Sequence, residues 1–512
     1  MKPYKISKYL LALVAAVSLV YACTDDFQEL NTNPALLSEE QLDVGLLLTR
    51  VQQEMIINGS NPIGTLANYA GYASSGGNRP FDGGFFSDEF AKGYRNLLNI
   101  SEIIRLTDGD AEMQGQNAIA RVMRVYIFHR LTDLYGDIPY SEAVKASSEV
   151  ITQPMYDTQE SIYGSMLDEL KELSSVLSET QQGSFGDSDM MYQSDNEKWM
   201  RFANSLRLRI ALRVRYVDEA LAREHISELV NMDLIESNEE NAFVPSSDDF
   251  DSNQNPVYNR LISNSGILPE HMGQTIVDLL NDQDDPRLTI LVTPTPNSVM
   301  VADSVGDSNL LEYRGRPLGL EGLERDAYPT SDLSQIGLYY REPVIEMPVL
   351  YYSEVCFALA EAKLMLDLGS LEADVWYERG VRADMERYGI DEAEIASFLS
   401  SNSLDVVADE EAKLEMIMNQ KNIALFPNEL EAWSEWRRTG YPKILIGSMV
   451  GETDGQIPRR INYPVSEANV NSVNYQEVST RIGGDLMTTK VWWDANPNVP
   501  YEHPGEILVP EP

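Results

Sequence analysis

Apolar residues recur at intervals of three and four along most of the chain, the period of a helix with one buried face. Leu42, Leu46, Val51 and Met55, with Thr49 between them, predict a first helix, and Phe90, Tyr94, Leu97, Leu98 and Ile104 a second. Ile119, Val122, Met123, Tyr126, Ile127 and Leu131 form a third stripe. That stripe should stop at Gly136, which tolerates positive φ, and at Pro139, which cannot continue a helix. Asp157-Thr158-Gln159-Glu160 predicts the next start, with Asp157 as N-cap and Glu160 in the third helical position, much like a capping box. Residues 206–215 read two ways. Leu206, Leu208, Ile210, Leu212 and Val214 alternate with Arg207, Arg209, Ala211, Arg213 and Arg215 as in a strand, yet Phe202, Leu206, Ile210 and Val214 also share one helix face. Helical neighbours favour the helix, and its arginines should pair with acidic side chains between helices.

From about Glu236 to Arg341 the periodicity fades, Gly, Pro, Asn, Asp and Ser become frequent, and tyrosines recur. An irregular insertion of that length is often functional. After it, Val349–Leu366 reads as a helix, Gly369-Ser370 as a turn and Leu371–Tyr388 as the partner helix, with Ala360, Ala362 and Gly380 small enough for close approach. The pattern resembles a tetratricopeptide hairpin. Glu411–Phe426 and Asn428–Arg438 predict a further pair. Arg437 and Arg438 should complement the macrodipole of that last helix, Gly440 should terminate it, and Trp433 and Trp436 should lie in the core.

Charge narrows the function. The 512 residues carry 39 basic and 81 acidic side chains, a formal net charge of −42. Such a surface repels nucleic acid, which is excluded as a partner. Of the two cysteines, Cys356 lies in an apolar helical stretch and reads as a buried small hydrophobe. Cys23 follows Lys2, Lys5, Lys8, the apolar run Leu10–Val20 and the residues Val20-Tyr21-Ala22. The run is short of the roughly 20 apolar residues of a spanning helix. Residues 1–22 therefore read as a signal peptide, and Cys23 resembles the lipidated cysteine of a bacterial lipobox. Removal of the three lysines takes the charge from −42 to −45. Thr24-Asp25-Asp26 resembles the surface-export signal of Bacteroidota lipoproteins, which points to the cell exterior.

Several blocks together resemble the SusD/RagB family of nutrient-binding outer-membrane lipoproteins. They are Asn31-Thr32-Asn33-Pro34; Ala120-Arg121 through Leu131-Thr132-Asp133-Leu134-Tyr135-Gly136-Asp137-Ile138-Pro139-Tyr140; Tyr156-Asp157-Thr158-Gln159-Glu160; and Lys198-Trp199 with Phe202-Ala203-Asn204-Ser205-Leu206-Arg207. Further along come Asp285-Pro286-Arg287, Ala360-Glu361-Ala362, Gln420-Lys421, Ala432-Trp433-Ser434-Glu435-Trp436-Arg437-Arg438-Thr439-Gly440, Ile457-Pro458-Arg459-Arg460 and Tyr463-Pro464. Their order covers nearly the whole mature chain, and the Gly136–Tyr140 and Glu431–Gly440 blocks are closest to the SusD-like branch. The resemblance implies one mostly α domain over residues 23–512, a tetratricopeptide-like hairpin scaffold bearing irregular ligand-binding loops. It also implies a lid on a SusC-like, TonB-dependent outer-membrane transporter that binds oligosaccharides, or in some branches peptides, with no cofactor and no chemistry.

A sugar binder needs exposed aromatic planes beside polar partners. Two loop-rich regions meet that need. Tyr69–Phe86 holds Tyr72, Asn78, Arg79, Phe81, Phe85 and Phe86 among five glycines, and a second region holds Tyr258, Tyr313, Arg314, Tyr328, Tyr339 and Tyr340. A lipid-anchored glycosidase would need two carboxylates placed across the scissile bond. Neighbouring pairs such as Asp284-Asp285 do not define that geometry. An adaptor working only through its helical hairpins is the remaining rival. No zinc or nucleotide motif stands out, and no EF-hand-type calcium spacing is evident.

Overall fold

The computed structural model describes residues 43–510 other than 60, 62, 76–80, 83–86, 144–150, 181–183, 250–252 and 269. The chain divides into two units, Met1–Val44 and Gly45–Pro512, and the second is described below. The expected signal peptide and Cys23 lie outside the described residues.

The fold is mostly α. Ser87–Thr107, Gln114–Tyr135, Gln159–Glu179, Asn196–Arg213 and Glu219–Leu229 follow one another, and each after the first packs on the helix before it. The second set begins with the hairpin of Tyr352–Leu366 and Ala373–Arg387, followed by Glu410–Leu425 and Glu429–Thr439. Asn196–Arg213 contacts Tyr352–Leu366 and so joins the two sets. In the hairpin a Cβ on Gly380 would lie 2.9 Å from the Phe357 ring, which is why a small residue sits there. Cys356 is fully buried beside it, and burial pushes its thiol pKa up to about 12.

Residues 196–213 are helical throughout, so the alternation of leucine and arginine does not make a strand. Its arginines reach outward to three other helices. Arg207 donates to Glu228, Arg209 to Glu354 at 2.6 and 2.7 Å, and Arg213 to Glu431 and Glu435. Arg215 donates to Glu361 at 3.1 Å, just past the helix end. Both faces of the helix are buried, one by apolar packing and the other by charge pairing, so both periods could be read from it. Arg438 donates to Glu361 and Glu435, and Lys421 to Glu435 at 3.0 Å, closing a buried ionic layer between the two sets.

Three expectations need correction. The N-cap of Gln159–Glu179 is Thr158, which accepts from the Ser161 amide; Asp157 instead accepts from the amides of Tyr140 and Ser141 and the Ser141 hydroxyl. A carboxylate can satisfy three donors of a loop, which a hydroxyl cannot, and this moves the cap by one residue. Arg437 and Arg438 do not serve their own helix end. Arg438 is held by carboxylates, and Arg437 lies 3.7 Å over Trp433 and donates to the carbonyls of Asp133 and Arg459. Both are wholly buried, and a buried guanidinium needs fixed acceptors more than it needs a distant dipole. Finally, the helix expected from Val349 begins at Tyr352, because Glu346–Leu350 forms β4 against β2, Ala242–Pro245. The alternation of exposed Glu346 with buried Met347 and Val349 has the period of a strand.

Other expectations hold. Gly136 ends Gln114–Tyr135 at φ 82°, and Gly440 ends Glu429–Thr439 at φ 83°. Trp433 and Trp436 are buried. The first helix runs Val44–Gln52 and continues as a π turn, Gln53–Ile57.

Candidate functional site

The insertion is built of short elements, and one of them gathers the two loop-rich regions. β1, Ala73–Ser75, pairs antiparallel with β3, Glu270–Met272, in the register Ala73↔Met272, Ser74↔His271 and Ser75↔Glu270. The Gly273 amide donates to the Tyr72 carbonyl at 2.8 Å and the Arg316 amide to the Met272 carbonyl at 2.9 Å. Ser334 joins the far side, with Met272 donating to its carbonyl and its own amide donating to Arg314. Residues 71–75, 270–274, 314–316 and 334 thus form one knot of backbone hydrogen bonds. A Cβ on Gly273 would lie 2.3 Å from the Gly71 carbonyl oxygen, so the close approach requires glycine.

Two residues expected as ligand contacts are core instead. Tyr72 is fully buried, donates to the Asn422 carbonyl at 2.6 Å and packs edge-on against Phe426. Phe81 is also fully buried, beside Gly319 and Gly451. The physical reason is local. Glycines at 319 and 451 leave a slot that an aromatic ring fills, and filling it anchors the loop. Asn78, Arg79, Phe85 and Phe86 lie outside the described residues. Of the second region, Tyr328 and Tyr340 are buried, Tyr258 and Tyr313 are half-buried, and Tyr339 is exposed.

Arg314 lies 4.4 Å over the Tyr328 ring and donates to the Ala327 carbonyl, so it braces the knot. The Tyr313 carbonyl accepts from Asn281, and burial raises the pKa of its half-buried phenol. Tyr339 packs edge-on against Tyr340, whose hydroxyl is hydrogen-bonded to Tyr388. This fixes an exposed ring on a rigid support, the arrangement a sugar face stacks on. Sequence reasoning did not single out His271 or Arg316, which the knot brings together. In the sequence Arg316 is one more loop arginine in Arg314-Gly315-Arg316-Pro317.

Two other places gather polar groups. A cleft of about 240 Å³ opens beside Asp137, Gln159, Arg460, Arg481 and Trp492. Its charged groups are mostly engaged: Asp137 accepts from the Gln159 amide and Arg481, and Arg460 donates to Asp485 and the Tyr135 carbonyl. Among the described residues, His129, Asp133 and Glu431 place ligand atoms within 4.8 Å of one another, as a metal site would. However, Arg213 pairs with both carboxylates, and Tyr163 and Trp493 donate to the other oxygen of Asp133. That charge is already matched within the ionic layer, so a divalent cation would face an adjacent guanidinium. Among the described residues no helix is long and apolar enough to cross a membrane.

Comparison with known proteins agrees with this architecture. Residues 37–464 match the SusD-like family described as starch-binding, associating with outer membrane. Among solved structures, a chitin-binding protein is 29% identical with a TM-score of 0.77, covering 88% of this chain and 100% of its own. A SusD homolog from Bacteroides vulgatus is 25% identical, with a TM-score of 0.74 and coverage of 88% and 97%. A chitin-binding SusD homolog from Flavobacterium johnsoniae is 25% identical, with a TM-score of 0.71 and coverage of 88% and 98%. A search of curated proteins finds no match. With the family matched over most of its length and the same fold in its relatives, this chain belongs to the SusD-like family.

Proposed function

We propose that this protein binds oligosaccharides at the outer membrane and passes them, chemically unchanged, to a SusC-like TonB-dependent transporter. The single observation that carries the reading is the exposed Tyr339 ring, braced by Tyr340 and Tyr388 within the insertion that the β1–β3 ladder ties to the first loop region. Sugar rings stack on such fixed aromatic planes. The family description and two chitin-binding relatives support glycan as the ligand class. Lipidation at Cys23 would tether the protein, with the acidic residues after it directing it to the cell exterior.

Peptide is the second ligand class, since acidic surfaces suit basic peptides. The test is a glycan and peptide array on the purified protein, followed by calorimetry with Tyr339→Ala and Tyr313→Ala. The reading expects glycan binding that Tyr339→Ala weakens while the fold stays intact. Binding of peptides alone would reject the glycan reading. Sustained turnover of a bound oligosaccharide would reject the transport-lid reading in favour of an enzyme.

A further inference from the structure

Eleven arginines are buried among the described residues, and ten of them donate to an acceptor. Arg316 is the exception. It is 6% exposed, its Nε has no partner, and its guanidinium donates to no described residue. In a chain with 81 acidic residues, a buried arginine without a carboxylate is not explained by scarcity of partners. The groups around it deepen the imbalance. Burial and the neighbouring Arg325 both lower its pKa. His271, also 6% exposed and with Nδ1 unpartnered, lies on β3, two residues before Gly273, which forms an isolated bridge with Arg316. Burial, followed by the charge of Arg316, pushes the His271 pKa down to about 4.

The strand register turns the nearest acid of β3 away from this place. Side chains alternate across a strand. Glu270 and His271 therefore point to opposite faces, and Glu270 pairs with Arg260. Ser74, the cross-strand partner of His271, donates to the Pro317 carbonyl. His271 and Arg316 thus meet with no anion between them among the described residues, while the Ser74 hydroxyl is spent on Pro317. An uncompensated buried cation is unfavourable, and it becomes favourable once an oxyanion accepts from it.

We propose that Arg316, with His271 beside it, is a subsite for the carboxylate of an acidic sugar residue. This rests on the glycan reading above and narrows it to saccharides that carry uronic or similar acids. The mature charge of −45 argues for isolated carboxylates spaced by neutral sugars. A densely charged acidic peptide would be repelled before it reached the subsite.

The test is calorimetry on the full-length protein with matched pairs: trigalacturonic acid against galactotriose, glucuronoxylan fragments against xylan fragments, and sialyllactose against lactose. An Asp-containing hexapeptide serves as the other source of carboxylate. At least one acidic member should bind tenfold or more tightly than its neutral match. Arg316→Gln should erase that preference and Arg316→Lys should keep part of it. Because the Arg316 side chain makes no hydrogen bond to lose among the described residues, Arg316→Gln should melt at the same temperature or higher. The subsite is overturned if neutral members bind as well as acidic ones, if Arg316→Gln keeps the preference, or if that variant melts lower. Peptide binding that Arg316→Gln abolishes, with no acidic-sugar preference, overturns the sugar assignment. Failure of every sugar, acidic or neutral, would instead reject the glycan reading and this subsite with it.

Discussion

Replacing Glu361 by Gln tests whether the buried ionic layer holds the two helix sets together. Glu361 is fully buried on Tyr352–Leu366 and accepts from both terminal nitrogens of Arg438 and from Nε of Arg215. Gln keeps the shape and one oxygen acceptor but removes the charge opposite two guanidinium groups. Breaking one partner of a buried pair costs about 3–5 kcal/mol. Arg438 retains Glu435 in the variant, which places the expected loss near the low end, about 3 kcal/mol. The pH dependence follows from the same contacts. Burial alone would raise the pKa of Glu361, but Arg438 and Arg215 overcome it and hold the carboxyl below its usual range. Burial is likewise outweighed at Glu431 by Arg213 and Arg209, and at Glu435 by Arg438 and Lys421. A depressed carboxylate contributes its stability fully above its unfolded pKa of about 4.3 and loses it as pH falls through the folded value. Urea unfolding followed by tryptophan fluorescence reads the change directly, since Trp433 and Trp493 lie against Arg437 in the same core. The wild type should weaken steeply below about pH 4, and Glu361→Gln should flatten part of that slope. A loss under about 1 kcal/mol with an unchanged urea slope would refute the reasoning.

Phe81→Ala should destabilise the protein by about 3–5 kcal/mol, because it empties the slot beside Gly319 and Gly451. Tyr313→Ala, at a half-buried position, should cost less in the same urea titration. Cys356 should resist thiol reagents in the folded protein and react once urea unfolds it, since burial pushes its pKa up to about 12. Rapid labelling of the native protein would contradict its placement. Cys23→Ser should shift the protein from the membrane to the soluble fraction on cell fractionation, and acyl mass on the wild-type N-terminus should disappear with it.

The helical scaffold was legible because its stripes are long. Leu131 back to Ile119 repeats the helical period often enough to exclude a strand, and Gly136 and Gly440 end their helices by a conformation few other residues adopt. The arginines of 207–215 were legible as charge partners, but not which carboxylates they meet, because Glu354, Glu361 and Glu431 lie more than a hundred residues away. The site was less legible for a related reason. Phe81 among glycines looks like a loop aromatic on display until Gly319 and Gly451, distant in sequence, are seen to form its slot. Likewise, nothing local distinguishes Arg316 from Arg314. The Nε of the first has no partner among the described residues and the second lies over Tyr328, a difference that the fold of residues 314–334 creates.

Isothermal titration of the purified protein with oligosaccharides, paired with chromatography of the ligand before and after, bears most directly on the central claim. Saturable binding that Tyr339→Ala weakens, with every sugar recovered intact, is the predicted result. No heat with any saccharide, or recovery of shortened products, would contradict it.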